Sequence, residues 1–180
     1  MKYRFLRNGR QVISFALSSI IVLVVCRGDA QDFFAGARGG AALEGDHFHE
    51  AEVFGGVNLP CRWNFFSNWY LRPGADASAG WISDDDTSAF VGSIGPLVDL
   101  GKGRFPITLE GGAAPTFLSR HRFSSRDFGD NFQFTSHVGL NWRISDHFTA
   151  GARFQHMSNG GITHLNPGVN MEFLSLRYDF

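Results

Sequence analysis

The segment Phe148-Thr-Ala-Gly-Ala-Arg-Phe-Gln-His-Met-Ser158 alternates without a break. Phe148, Ala150, Ala152 and Phe154 are apolar, while Thr149, Gly151, Arg153 and Gln155 between them are small or polar. Side chains along a strand point to opposite faces with a period of two. One face of this strand is therefore greasy and the other polar, and His156 and Ser158 prolong the greasy face. A soluble sandwich would bury such a pair in its core. A membrane barrel would turn it outward, towards lipid.

The same code recurs along the chain. Leu174, Leu176, Tyr178 and Phe180 share one face of 170–180, with Ser175, Arg177 and Asp179 on the other; the chain ends on that Phe. Phe132, Phe134, Val138, Leu140, Trp142 and Ile144 share a face of 131–144. Ile107, Leu109, Gly111 and Ala113 begin another strand, and Trp69, Leu71, Ala77, Ala79 and Trp81 mark one more. Segments 33–41, 50–59 and 87–100 bring the count to eight. Short connections at 101–104 and 145–147 alternate with longer ones at 119–130 and 159–168, as in small outer-membrane barrels with short turns on the periplasmic side and long loops outside. The 19 Phe and 22 Gly fit that class. After residue 30 no apolar run is long enough for a spanning helix.

The first thirty residues read as a cleaved secretory signal. Lys2, Arg4, Arg7 and Arg10 precede the apolar run Val12 to Val25, and Gly28 and Ala30 supply small residues for cleavage. The expected organisation is a signal peptide over 1–30 and an all-β domain over 31–180: an eight-stranded antiparallel transmembrane β-barrel in the outer membrane of a Gram-negative cell. Of 16 Lys and Arg, five lie in the leader, and of 17 Asp and Glu only Asp29 does. The mature chain is then mildly acidic, which does not suggest nucleic acid as a partner. Losing Cys26 with the leader would leave Cys61 alone, without a disulfide or a Cys-based zinc site.

A polar side chain on a lipid face is costly without a partner. His156 and Ser158 are one strand repeat apart, about 6.6 Å between Cα atoms. Side chains leaning together can bring the imidazole to the hydroxyl, the arrangement that activates a serine towards a carbonyl. The second imidazole nitrogen then needs an acceptor. Asn170 and Glu172 share the outward parity of Leu174. Asn159, Gly160 and Gly161 follow the serine, and a backbone N–H there or the Asn159 amide is a candidate oxyanion donor.

The stretch Phe154-Gln-His-Met-Ser-Asn-Gly-Gly-Ile162, followed by Asn166-Pro-Gly168, resembles the signature of the lipid A deacylase (PagL, acyloxyacyl hydrolase-like) family. The resemblance covers about 105–180. It implies a serine–histidine–acid esterase on the outer wall of an eight-stranded barrel, cutting the acyl chain at position 3 of lipid A without metal or cofactor. His156 matches the base, Ser158 the nucleophile, Asn159 an oxyanion residue and Asn166 the second Asn. The chain departs from the pattern at the acid, where Asn170 stands four residues after Asn166. Either Asn170 orients His156, or Glu172 reaches across; the reading leans to Glu172, because a carboxylate better stabilises an imidazolium. An inactive relative is the third alternative.

Other groups are weaker candidates. Arg120, His121, Arg122 and Arg126 suit phosphate oxygens, but Asp127 and Asp130 in the same loop balance them. Asp84, Asp85 and Asp86 read as an acidic loop tip before a cation site. His47 and His49 lack a third metal ligand, and His164 reads as a loop residue. Trp69, Trp81 and Trp142 fit an interface girdle. The expected partners are lipopolysaccharide, the outer membrane and a second copy of the chain. The rival readings are a non-enzymatic barrel, adhesin-like or structural, whose loops carry function, and a periplasmic lipocalin-type carrier.

Overall fold

The computed structural model describes residues 32–43 and 47–180; the predicted signal peptide lies outside them. Nine strands follow one another: β1 Asp32–Ala42, β2 His49–Asn58, β3 Trp63–Phe65, β4 Trp69–Ser83, β5 Ser88–Lys102, β6 Ile107–Leu118, β7 Phe132–Arg143, β8 Phe148–Ser158 and β9 Val169–Asp179. Each long strand pairs antiparallel with the next, β2 pairs with β4, and β1 pairs with β9. The ring therefore closes on eight strands. β3 lies outside it, a three-residue strand beside the start of β4.

Alternation is what makes these segments strands. Along β8, Thr149, Gln155 and Met157 are buried while Phe148, Ala152 and Phe154 are exposed. β9 repeats this, with Val169, Met171 and Phe173 buried and Leu174, Leu176 and Tyr178 exposed. The exposed face is the apolar one: Val53, Trp81, Ile94, Val138, Leu140, Trp142, Leu174 and Leu176 all point outward. Local chemistry makes the turns. Ser145 Oγ accepts from the N–H of Phe148 at 3.1 Å, and Asp84 Oδ1 accepts from Thr87 N–H at 2.8 Å.

The interior has two storeys. At mid-height it is polar: Arg38 pairs with Glu52 and lies 3.6 Å from Asp76, and Glu110 accepts from Asn141 at 2.9 Å. At the long-loop end it is apolar. There Ile82, Leu118, Met157, Val169, Met171 and Phe173 pack beneath Phe48, Phe123 and Phe128. These three rings meet with centroids 5.2, 5.5 and 5.7 Å apart, within the range for favourable aromatic pairs. The loops thus form a hydrophobic lid seated in the mouth of the barrel. Cys61 is buried; the expectation that it stands alone rests on losing Cys26, which lies outside the described residues.

Candidate functional site

β8 and β9 carry the site at their long-loop ends. In the ladder His156 stands opposite Asn170, and Phe154 opposite Glu172. His156 and Ser158 are half-buried on the outward face, and Asn170 and Glu172 are exposed there. The outward parity expected for all four is what the register shows. His156 Nδ1 and Asn170 Oδ1 are 2.8 Å apart. An amide oxygen only accepts, so Nδ1 carries the hydrogen, and in the neutral ring Nε2 is left as the acceptor. That is the tautomer a general base needs.

Asn170 rather than Glu172 therefore meets the histidine. The lean to Glu172 is corrected by the register: its carboxylate belongs to the next row down, between Phe154 and Ala41. Among the described residues it makes no hydrogen bond or ion pair with His156.

Gly168 completes the immediate surroundings of the couple. Its φ of +60° lies in the left-handed region, and a Cβ there would stand 3.0 Å from His156 Cε1 and 3.4 Å from Ser158 Cβ. A side chain at 168 would thus crowd both groups, and glycine leaves that space open; among the described residues His156 is hydrogen-bonded to Asn170 and not to Ser158. Beside them a cavity of about 500 Å³ is lined by Leu43, Arg126, His156, Pro167, Gly168, Val169 and Asn170.

Asn159 and Asn166 build the loop. Asn159 is completely buried. Its Nδ2 donates to Phe128 O at 2.9 Å, Leu165 O at 2.7 Å and Thr163 Oγ1 at 2.9 Å, and its N–H donates to Asn166 Oδ1 at 2.9 Å. Its Oδ1 accepts from Gly161 N–H at 2.9 Å. Asn159, expected to help shape an oxyanion site, spends its donors on the loop itself, an arrangement that positions the backbone after Ser158. Gly160, with φ +64°, keeps an N–H that makes no hydrogen bond among the described residues.

The weaker candidates resolve into loop structure. Asp127 accepts from Gly129 N–H, His121 and Arg122, each at 2.8 Å, and these hold its carboxyl down to about 2. Burial pushes the Asp84 carboxyl up, yet hydrogen bonds from Ser125, Thr87 and Asp86 carry it below its ordinary value. Arg126, considered first for phosphate, donates from Nη1 to the carbonyl of Gly168. Sequence reasoning missed this tie, for nothing in the spacing of 126 and 168 announces it. His47 lies 3.8 Å from Asp85, both exposed. Trp81 and Trp142 face outward at opposite ends of the wall.

The model of the lipid A 3-O-deacylase (PagL) family matches residues 49–179. The chain belongs to this family. The lipid A deacylase PagL of Bordetella bronchiseptica is 31% identical over 154 residues, covering 79% of this chain and 84% of that protein. The crystal structure of the outer membrane enzyme PagL superposes with a TM-score of 0.62 at 21% identity, over 84% of this chain and 99% of that one. The N-terminal β-barrel domain of Pseudomonas aeruginosa OprF superposes at 0.50 with 13% identity, over 86% of this chain and all of that domain. These two structures carry the fold: a small closed barrel of the outer membrane, as the apolar outer wall requires. Within the PagL family motif, the surprise is an amide in the place expected for an acid.

Proposed function

We propose that this PagL-family barrel hydrolyses the ester-linked acyl chain at position 3 of lipid A. The observation that carries the reading is the His156–Asn170 hydrogen bond beside Ser158 on the lipid-facing wall. An amphiphile in the outer leaflet reaches that wall by lateral diffusion, with its polar head near the loops and its chains against the strands.

Ser158 Oγ attacks the ester carbonyl while His156 Nε2 takes its proton. Asn170 holds the other nitrogen in the donating state throughout, acting as a positioning residue. The N–H of Gly160 supports the developing oxyanion, since the donors of Asn159 are committed elsewhere. As the carbon–oxygen bond to the sugar breaks, His156 returns the proton to the sugar oxygen. A water molecule, activated by the same imidazole, then releases the fatty acid and restores Ser158. Removing one oxyanion donor or the base from such a site costs factors of hundreds or more in rate.

The test is mass spectrometry of lipid A from cells producing the protein. Loss of one acyl chain with the wild type, abolished by Ser158→Ala and by His156→Ala in barrels that still fold, is the expected result. Unchanged lipid A with a folded, surface-exposed wild type refutes the activity. If Ser158→Ala still removes the chain, the nucleophile is wrong.

A further inference from the structure

The loop 119–131 takes no direct part in the chemistry above, yet it reaches the couple. Its own shape is tightly determined. Phe123 N–H donates to Arg126 O at 2.8 Å and closes a turn, and Arg122 bridges to Asp127. Ser125 donates its N–H and its hydroxyl to Asp84 Oδ2, both at 2.9 Å, and Thr87 and Ser124 hydroxyls meet at 3.0 Å. The residue next to Ser125 is Arg126, whose guanidinium lies 5.9 Å from the centre of the Phe48 ring. From there it donates to the Gly168 carbonyl. Gly168 in turn lies beside the couple, so near that a Cβ added to it would stand 3.0 Å from His156 Cε1 and 3.4 Å from Ser158 Cβ.

We infer that Arg126 is a positioning residue for the esterase: through the Gly168 carbonyl it holds the 159–168 loop beside His156 and Ser158, and so limits the rotamers open to the imidazole and the hydroxyl that must share a proton during attack. The inference rests on the Ser158–His156 reading. A charge-assisted hydrogen bond suits this task, being stronger and more directional than a neutral one. If the Gly168 backbone retreated, both side chains would gain rotamers that separate them. Small misplacements of this kind cost about a hundred-fold in rate without loss of fold.

The experiment uses a fluorophosphonate probe on the purified full barrel in detergent, alongside turnover of lipid A. In labelling, Ser158 Oγ bonds to phosphorus and fluoride leaves while His156 takes the proton, so the rate reads the couple independently of headgroup binding. Arg126→Met should label about ten- to a hundred-fold more slowly per folded molecule. Its kcat on lipid A should fall in step while KM changes little, and Arg126→Lys should recover part of the rate. Arg120→Met, the same charge loss elsewhere in the loop, should label like wild type. Normal labelling with a raised KM would assign Arg126 to headgroup binding and overturn the inference. Labelling that falls only with the folded fraction would make it scaffolding and overturn it too. In both cases the esterase reading stands, whereas a folded wild type that cannot be labelled at all removes that reading together with this one.

Discussion

Replacing Asn170 by Asp tests the site at its most unusual point. The imidazole is neutral before attack and cationic once it has taken the serine proton. A carboxylate at 170 would therefore act mainly on the transition state, and interactions of that kind raise kcat and leave KM alone. Asn170 Oδ1 is already 2.8 Å from Nδ1, so the charge would arrive without rearrangement. For centres about 4 Å apart the attraction is about 1 kcal/mol in bulk water and about 4 kcal/mol near a protein surface. Asn170 is exposed, which places the effect near the lower figure. With 1.36 kcal/mol per factor of ten, kcat should rise about five- to ten-fold. Asn170→Ala should lower it by a few-fold, the worth of one neutral hydrogen bond of about 1 kcal/mol. Fatty-acid release from lipid A in detergent micelles gives the rates, and heat-modifiable gel mobility gives the folded fraction. If Asn170→Asp folds like the wild type and its kcat is unchanged or lower, Asn170 does not orient the base.

Glu172→Gln should leave kcat within about two-fold, because its row lies below the histidine and it lacks the contact a positioning role requires; a large loss would restore the carboxylate to the mechanism. Asn159→Ala leaves the buried Phe128 carbonyl with only a 3.5 Å contact from Gln133, while Leu165 O keeps Thr163 Oγ1, at about 1–3 kcal/mol for the one buried group left poorly paired; hydrogen exchange should show the 159–168 loop opening while strand amides stay protected. Asp127 titrates at 3.8 when free and at about 2 in the folded loop. Its contribution is thus full above the free value and disappears as pH falls through the folded one. Limited proteolysis of loop 119–131 should be flat from neutrality to about pH 4 and accelerate below it; acceleration that begins near neutrality would contradict this.

How much of this was legible in the chain depended on which faces differ. β8 could be read residue for residue, because Phe148 to Ser158 alternates and both of its surroundings are chemically distinct. β5 was harder: Gly101-Lys102-Gly103 looks like a turn, yet Gly101 and Lys102 still pair with Tyr70 and Trp69. β6 was followed only to Ala113 and runs on to Leu118, since Gly111, Gly112 and Pro115 dilute the alternation. β3 has three residues, too few for any period. Within the site, His156 and Ser158 declared themselves by parity. Asn170 and Glu172 share that parity, and only the β8–β9 register separates them. For Asn159 the motif pointed to the oxyanion site without saying which way its amide turns. Leaving the strand after Ser158, the chain turns its amide towards Phe128 and the buried lid. The apolar upper storey was hidden for a related reason: Met157 and Phe173 are greasy residues on the inward face, where alternation alone predicts polar ones.

A wall one peptide thick separates consecutive residues of β8 into unlike worlds. Gln155 and Met157 answer to the lumen, His156 and Ser158 to the bilayer. The charged interior can therefore be rewritten, for a thermostable scaffold or a pore, without editing the esterase, and new lipid specificities can be evolved along the outer rows without disturbing what is packed inside.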